Sequence, residues 1–185
     1  MFMRLSFYLL SIFFLVLVTK SNSQCNGYES LCFKKYNEVA YLTTHNAYNS
    51  FEDGFYLPNQ NLNITSQLNQ GVRAFMLDVY SEDDELVLYH GTSQLGSSLF
   101  SDVLNEFKTF MDENPNEVII LYFEDHTDGR HQQLLNIIND KLSGKVHASN
   151  GCQNIPNTLT KNQVRAAGKQ VVLWKDGGCS SNTGM

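Results

Sequence analysis

Residues 71–80 read GVRAFMLDVY, an apolar run that opens on a glycine and carries one carboxylate near its end. Its β-branched and apolar residues predict a buried strand over Val72–Tyr80. Successive side chains of a strand point to opposite faces, so this strand has two distinct sides. One side carries Val72, Ala74, Met76 and Asp78, and the other carries Arg73, Phe75, Leu77 and Val79. The stretch therefore predicts a strand that presents Asp78 on a single face near its carboxyl end.

Four other segments have strand-like composition, and helix-like segments lie between them. The other strand candidates are Val39–Thr44, Leu86–His90, Val118–Glu124 and Val171–Lys175. Helical segments are predicted at Ile64–Leu68, Leu99–Met111, Leu134–Leu142 and Thr160–Gly168. Strands that alternate with helices favour a mostly parallel sheet, either doubly wound or closed as a barrel. Only the connection from the second strand to the third is too short for a crossover helix.

The absence of a phosphate-binding loop favours the barrel over the doubly wound sheet. No glycine-rich phosphate loop of the GxGxxG or P-loop type follows a predicted strand, so a nucleotide-binding open sheet lacks its usual signature. The fold class that remains is α/β with a TIM-like (β/α) barrel. Such a barrel typically takes about 250 residues, whereas we predict five strands before Met185. We therefore expect only the N-terminal part of a barrel, in one domain over residues 36–185.

The first 23 residues have the features of a secretory signal peptide. Arg4 gives a short basic start, Leu5–Val18 is an almost continuous apolar run, and small residues follow at Ser21–Ser23. Cleavage is expected after Ser23. The apolar run is shorter than the ~20 residues that a membrane-spanning helix needs, so a retained signal anchor is the less favoured alternative. The sequence predicts a secreted protein, either extracellular or in the lumen of the secretory pathway.

The cysteines of the chain are Cys25, Cys32, Cys152 and Cys179. Disulfides are their expected state in an oxidising compartment, and three pairings are available. We favour Cys25–Cys32, which closes a small loop within residues 24–35, together with Cys152–Cys179. A zinc site is disfavoured because no CxxC or Cys/His spacing occurs. The sequon Asn63-Ile64-Thr65 makes Asn63 a candidate for N-glycosylation and places it at the surface.

The charge of the chain excludes one class of partner. The formal net charge is −6, and the 13 Lys and Arg residues are scattered rather than clustered. Nucleic-acid binding is not expected, because it depends on a basic patch. An acidic protein also gains no electrostatic attraction to an anionic lipid surface. Any lipid head group must therefore be recognised by local contacts.

Each predicted strand ends in potentially reactive side chains. In strand order these are His45-Asn46, Asp78, His90, Glu124-Asp125-His126 and Lys175-Asp176. In parallel α/β folds the carboxyl ends of the strands converge on one rim, where ligand sites form. If the inward rows of the barrel hold Asp78, His90 and Glu124, these side chains face the same mouth as His45 and Asn46. The pattern predicts one functional site at this rim.

The residue types at the rim indicate the chemistry. Two facing histidines suit general acid–base catalysis, because imidazole titrates near neutral pH. Hard oxygen ligands for Ca²⁺ or Mg²⁺ are available from Asn46, Asp78 and Glu124. Such a cation would offset negative charge in a transition state, although the carboxylates could instead simply orient the histidines. Arg73 lies low on its strand, where a structural salt bridge is favoured over a catalytic role.

Four motifs carry a family resemblance. They are THNAY at 44–48, GVRAFMLDVY at 71–80, LVLYHG at 86–91 and VIILYFEDH at 118–126. Together and in this order they resemble the X domain of phosphatidylinositol-specific phospholipase C. The resemblance runs from about residue 36 to 176 and is greatest to the secreted, single-domain branch of plants, fungi and protists.

The resemblance implies a TIM-like barrel that cleaves the phosphodiester of a phosphoinositide. A ring hydroxyl attacks the phosphorus and gives a cyclic phosphate. His45 matches the base that acts on this hydroxyl, and His90 matches the acid that protonates the leaving diacylglycerol oxygen. The calcium ligands of the metal-dependent animal enzymes correspond to Asn46, Asp78 and Glu124. The candidate contacts to substrate phosphate are Asn46 and Arg73.

Two departures from the family pattern leave alternatives open. Met76 stands where the calcium-dependent enzymes have a carboxylate, which weakens the expected Ca²⁺ site, and the later strands of the family have no counterpart. We expect a phosphoric diester hydrolase acting on a phosphoinositide or glycosylinositol lipid, with peripheral membrane contact. The alternative is a non-catalytic head-group binder. A sugar hydrolase that uses Asp78 and Glu124 is disfavoured, because both histidines would have no role.

Overall fold

The computed structural model describes residues 25–147 and 156–176 of the chain. Within them, seven strands form one sheet. The strands are β1 (Thr43–Thr44), β2 (Ala74–Glu82), β3 (Glu85–Leu88), β4 (Ser98–Leu99), β5 (Ile119–His126), β6 (Val146–His147) and β7 (Val171–Lys175). The helices are α1 (Ile64–Asn69), α2 (Phe100–Glu113), α3 (His131–Lys141) and α4 (Lys161–Ala166), and short 3₁₀ helices lie at Glu29–Leu31, Tyr36–Glu38 and Ser93–Leu95. The predicted alternation of strands and helices is confirmed.

The sheet is mostly parallel and does not close within the described residues. Its strand order is β4-β3-β2-β5-β7-β6, and β1 pairs with the start of β2. The pairs β1–β2, β2–β5, β5–β7 and β6–β7 are parallel, and β2–β3 and β3–β4 are antiparallel. The architecture is therefore part of a barrel, as the sequence predicted.

The two-residue strands of the sheet differ from the prediction. The predicted strand Val39–Thr44 is reduced to Thr43–Thr44, because β2 starts only at Ala74, the partner of Thr43. The residues before Thr43 thus extend past the end of their neighbour. The two-residue strands β4 and β6 were not predicted. Two residues are too few to show the alternation by which a strand is recognised in a sequence.

A tight hairpin joins β2 to β3. Glu82 pairs with Glu85, and the two residues between them, Asp83 and Asp84, both have positive φ, at 48° and 66°. This is the backbone of a two-residue type I′ turn, in which aspartate tolerates the left-handed conformation better than most residues. β3 then runs back along β2 until Leu88 lies opposite Val79. The short connection noted in the sequence is therefore an antiparallel turn.

One face of the sheet packs against helices α2 and α3. From β2 and β5 this face presents Phe75, Leu77, Val79, Leu121 and Phe123, all fully buried. Phe75 meets Phe107 of α2 edge to face, with ring centroids 4.9 Å apart. Phe100 meets Phe123 in the same way at 5.7 Å. Edge-to-face aromatic pairs of this kind add to the stability that burial gives the core.

The other face of the sheet is the inner face of the partial barrel, and its side chains lie in layers set by strand register. Ala74, Ile120 and Val172 form the lowest layer, which Tyr36, Leu159 and Val164 cover. Met76, Tyr122 and Trp174 form the next layer and line a cavity of about 420 Å³. Asp78 and Glu124 form the third layer, at the mouth. The inner face therefore changes from apolar to acidic towards the carboxyl ends of the strands.

The N-terminal loop docks at the opposite end of the sheet. Cys25 and Cys32 form the predicted disulfide. Asn26 fixes this loop to the start of β5, because its amide donates to Val118 O and its Oδ1 accepts from Val118 N, both at 3.0 Å. Cys152, Cys179 and the predicted signal peptide over residues 1–23 lie outside the described residues. Asn63 caps α1 by accepting from Ser66 N, and its glycosylation stays a prediction.

Arg73 has a structural role at the start of β2. Its Nε donates to Glu117 Oε2 at 2.8 Å, its guanidinium also donates to Leu68 O and Val72 O, and it stacks over the Phe110 ring at 4.7 Å. The salt bridge predicted for this position is confirmed. All of these contacts lie at the amino end of the strand, so the alternative role as a phosphate contact at the mouth finds no support in the structure.

This ion pair predicts a stability difference between two arginines. Arg73→Ala leaves the largely buried carboxylate of Glu117 unpaired, which should cost about 3–5 kcal/mol of unfolding free energy. Arg130→Ala is the matched control, because Arg130 pairs with Asp84, whose side chain is 93% exposed, and the expected cost is below about 1 kcal/mol. Urea unfolding followed by circular dichroism measures both. Equal midpoints for the two variants would contradict the structural role.

Candidate active site

The chain turns directly after β1, at His45 and Asn46, and the turn sends their side chains to different environments. Asn46 has a φ of +47°, a left-handed conformation that asparagine adopts more readily than most residues, and its side chain is fully buried. His45 stays exposed at the mouth, and its carbonyl accepts from Gln60 Nε2 at 2.7 Å. Ala47 N donates to Met76 O at 3.0 Å, which ties the turn to β2. The turn thus points an amide inward and leaves an imidazole in solvent.

Asp78 is the buried centre of the site. It is directly paired with Glu124 in the parallel register of β2 and β5, so both carboxylates lie on the inner face. Burial raises the pKa of Asp78, and the neighbouring imidazole of His90 opposes that rise. The charges of His126 and His45 act in the same direction as His90. Three histidines thus favour the ionised form of Asp78, and His90 does so most.

Asn46 connects Asp78 to His90. Its amide satisfies its neighbours when the nitrogen donates to Asp78 Oδ1 and Oδ2 at 3.0 and 3.1 Å and the oxygen accepts from His90 Nδ1 at 2.8 Å. The direct distance from His90 Nδ1 to Asp78 Oδ2 is 3.6 Å, too long for a good hydrogen bond. The amide thus carries the contact between the carboxylate and the imidazole.

The two candidate catalytic histidines face each other at the mouth. The ring centroids of His45 and His90 are 6.4 Å apart and their planes meet at 75°. His90 lies at the mouth, as the sequence predicted, but it does not reach it by continuing an inward row of Leu86 and Leu88. Leu86 and Leu88 of β3 belong to the helix-packed core, so strict alternation would send His90 there too. His90 reaches the mouth because β3 ends at Leu88 and the chain turns.

A stack of three rings lies above the acidic layer. Tyr80 is stacked between Tyr89, at 4.0 Å, and His126, at 4.6 Å, with planes within 18° of parallel. Tyr80 and His126 are register partners, two residues beyond Asp78 and Glu124. His126 belongs to the predicted rim, whereas Tyr80 and Tyr89 were not predicted there. The signal was present, because Tyr80 continues the Asp78 row by strand alternation.

Asp125 and Lys175 belong to a separate network on the helix side. The Asp125 side chain is completely buried and accepts from Lys175 Nζ at 3.1 Å, His131 Nδ1 at 2.6 Å and Thr127 Oγ1 at 2.6 Å. Burial alone would raise the pKa of Asp125, but hydrogen bonds from Thr127 and the ammonium of Lys175 hold it below its ordinary value. The network fixes the backbone next to Glu124. Neither Asp125 nor Lys175 faces the mouth.

The residues predicted to hold Ca²⁺ are close together, but they do not form a complete set. Within residues 25–147 and 156–176, no three His, Cys, Asp or Glu side chains are placed to hold one metal ion. A cation here would depend on the Asn46 amide oxygen, which accepts from His90 instead. Met76 contributes no oxygen, and Ca²⁺ takes six to eight. The side chains present therefore do not fit a resident Ca²⁺ ion, and the calcium site stays a prediction.

Comparison with known proteins supports the same fold. A PI-PLC X domain-containing protein 1 of Arthroderma benhamiae is 30% identical over 107 residues, 57% of this chain and 34% of that protein. An uncharacterized secreted protein of the same fungus is 26% identical over 98 residues, 52% of this chain and 22% of that protein. The solved phosphatidylinositol-specific phospholipase C of Listeria monocytogenes superposes with a TM-score of 0.60 at 22% identity, over 78% of this chain and 53% of that enzyme.

The chain spans about a third or less of these curated relatives and about half of the solved enzyme. The match to the family is nevertheless long. The family model described as PI-PLC X 1 matches residues 31–176, which include every strand of the sheet and both candidate histidines. On that match, the chain belongs to the PI-PLC X family.

Proposed function

We propose that this protein is a phosphoric diester hydrolase that cleaves a phosphoinositide or glycosylinositol lipid. The observation that carries the proposal is the pair of exposed imidazoles at the mouth, one of which is tied through Asn46 to a buried carboxylate. Family membership and the barrel fold support a phosphodiesterase-type reaction. Secretion is part of the proposal, because a disulfide favours an oxidising compartment and a relative is named as secreted.

The two histidines would act as the base and the acid of one reaction. His45 takes the proton of an inositol ring hydroxyl, whose oxygen attacks phosphorus. The bond from phosphorus to the lipid oxygen breaks as His90 donates a proton to that oxygen. The products are a cyclic inositol phosphate and the lipid alcohol, and the proton gained by His45 balances the proton lost by His90.

The surroundings of the two rings suit these roles. His45 lies in solvent at the mouth and is free to contact a head group. His90 is held through its Nδ1 by Asn46, so its Nε2 is the nitrogen left for the substrate. The Asp78 carboxylate lies beyond the amide, with its Oδ2 3.6 Å from His90 Nδ1, so the ring that would donate the proton is held next to a buried acid.

Removal of either histidine should reduce turnover strongly. His45→Ala and His90→Ala are expected to lower the rate of phosphatidylinositol cleavage by about 10²–10⁴-fold, the usual contribution of a general acid or base. His147→Ala is the matched control, because His147 lies at the edge of the sheet on β6. Release of cyclic inositol phosphate, measured by phosphorus NMR, is the readout. Turnover that survives both substitutions would show that the mechanism is wrong.

A head-group binder without catalysis is the second candidate, and Met76 favours it. This thioether sits between the acidic layer and the apolar cavity, where it offers no charge to a reacting phosphate. Calorimetry with inositol 1-phosphate distinguishes the candidates. Binding without any product from phosphatidylinositol would support the binder, and product formation would exclude it.

We propose that a loop at the mouth provides the membrane contact. The rim loop, defined as residues 51–57, exposes about 70% of the side chains of Phe51, Tyr56 and Leu57. It is nevertheless tightly held, since Phe55 packs on the ring of Tyr48, 6.0 Å away. A Cβ at Gly96 would lie 2.6 Å from that phenyl ring, so this close approach requires glycine. Apolar side chains held out in solvent suit insertion into a lipid surface.

The charges beside the rim loop favour a neutral lipid surface. Glu52 and Asp53 lie inside the loop, and the chain carries a net charge of −6. Attraction to anionic lipids is therefore absent, and apolar burial has to supply the binding energy. No helix of the described residues is long and apolar enough to cross a bilayer.

Loss of the rim-loop side chains should weaken vesicle binding. The triple variant Phe51→Ser, Tyr56→Ser, Leu57→Ser should bind phosphatidylcholine vesicles at least about tenfold less well, because each buried apolar side chain contributes ~1.5–3 kcal/mol. Tyr28→Ser with Phe33→Ser is the control, since both are equally exposed but lie in the disulfide loop. Vesicle sedimentation measures both. An equal loss in the control, or binding only to anionic vesicles, would contradict the assignment.

A further inference from the structure

His90 lies beyond the end of its strand, so the ladder hydrogen bonds of the sheet do not place it. β3 ends at Leu88, and half of the His90 side chain is exposed at the mouth. A proton donor has to be held in a defined position, because a displacement of about 1 Å can lower a rate by about 10²-fold. Contacts from outside the sheet must therefore position the chain at His90.

A buried hydroxyl holds the peptide group next to His90. The Tyr48 side chain is only 1% exposed, and its hydroxyl donates to Tyr89 O at 2.7 Å. This carbonyl belongs to the same planar peptide unit as the backbone nitrogen of His90. The hydrogen bond therefore fixes the orientation of the peptide plane from which the imidazole of His90 extends.

The far end of the same stretch of chain is held by the ring that carries this hydroxyl. The His90 segment, defined as residues 89–96, ends at Gly96, which lies directly against the ring of Phe55. Phe55 packs in turn on the ring of Tyr48, with centroids 6.0 Å apart. Tyr48 thus contacts the start of the segment through its hydroxyl and supports its end through Phe55.

Tyr48 is firmly attached to the rest of the fold through the residue before it. Ala47 N donates to Met76 O at 3.0 Å, and Ala47 O accepts from the buried side chain of Gln67 at 2.8 Å. His45 stands three residues before Tyr48, at the start of the same turn. The turn that carries the proposed base therefore also holds the segment that carries the proposed acid.

We infer that Tyr48 is a positioning residue, whose hydroxyl holds His90 where it can protonate the leaving oxygen. Tyr48 is buried out of reach of the substrate, so it acts through the peptide group between Tyr89 and His90. The inference rests on the proposed function where it concerns turnover. The state of the peptide group is observable without substrate.

Tyr48→Phe tests the inference, because it keeps the ring against Phe55 and removes only the hydroxyl. With a short-chain phosphatidylinositol below its micelle concentration, kcat should fall at least about tenfold, because the acid is misplaced. KM should stay unchanged, since no contact with the head group is lost. Tyr36→Phe is the matched control, because Tyr36 is also buried and its hydroxyl has no hydrogen-bond partner among the described residues. Equal kcat values for the two variants, or a raised KM with an unchanged kcat, would overturn the inference.

Amide NMR of the full chain gives a readout that needs no turnover. The amide nitrogen resonance of His90 responds to the hydrogen bond on the preceding carbonyl, so it should shift in Tyr48→Phe and stay in place in Tyr36→Phe. An unshifted His90 resonance in Tyr48→Phe would contradict the positioning role. If the wild-type protein cleaves no phosphatidylinositol, the proposed function fails, and the resonance still decides whether Tyr48 holds this peptide group.

A second substitution tests whether both ends of the His90 segment are held together. Phe55→Leu keeps an apolar side chain but removes the ring that packs on Tyr48 and Gly96, and it should lower kcat as well. Because both substitutions loosen one segment, kcat of the double variant should exceed the product of the two single effects by at least about threefold. Two effects that simply multiply would show that Tyr48 and Phe55 act on the site independently.

Discussion

The two-sided alternation of β2 is the constraint on which the rest of the structure depends. This strand pairs with β1, β3 and β5. Its odd-numbered residues from Phe75 to Val79 are buried against helices, which fixes the register because a slip of one residue would expose all of them. Asp78 is thereby forced onto the inner face. The apolar core thus determines where the buried charge lies.

The burial of the Asp78 carboxylate lowers the stability of the folded state. Burial raises the pKa of Asp78, so the folded state disfavours the ionised carboxylate relative to the unfolded chain. The Asn46 amide offsets part of this cost with two hydrogen bonds, and in doing so it becomes the link to His90. A left-handed backbone at Asn46 is a further local strain that this arrangement requires. The strained backbone of Asn46, the buried carboxylate of Asp78 and the proposed acid His90 therefore lie side by side.

The sequence alone predicted the features that depend on local pattern. The strand over residues 72–80, the helices of the outer layer and the Cys25–Cys32 disulfide follow from periodicity, capping residues and compartment. The prediction failed where the ends and faces of the strands are set by the folded sheet rather than by the residue pattern. Leu86 and Leu88 alternate in step with His90, yet the strand ends before His90 and the chain turns inward. Asp125 looked like a rim residue beside Glu124, but the same alternation that turns Glu124 inward turns Asp125 to the helices.

The turn at Asp83 and Asp84 has a consequence for the dimensions of the site. His90 reaches the mouth only because β3 runs back along β2 by a fixed number of residues after a two-residue turn. Lengthening both arms of the hairpin by one residue each would keep every existing pair and its face, but it would place a pair without ladder hydrogen bonds next to the turn, which needs a hydrogen-bonded closing pair. Lengthening each arm by two residues would restore a hydrogen-bonded closing pair and extend the hairpin by about 7 Å. We therefore expect relatives to lengthen each arm of this hairpin by an even number of residues.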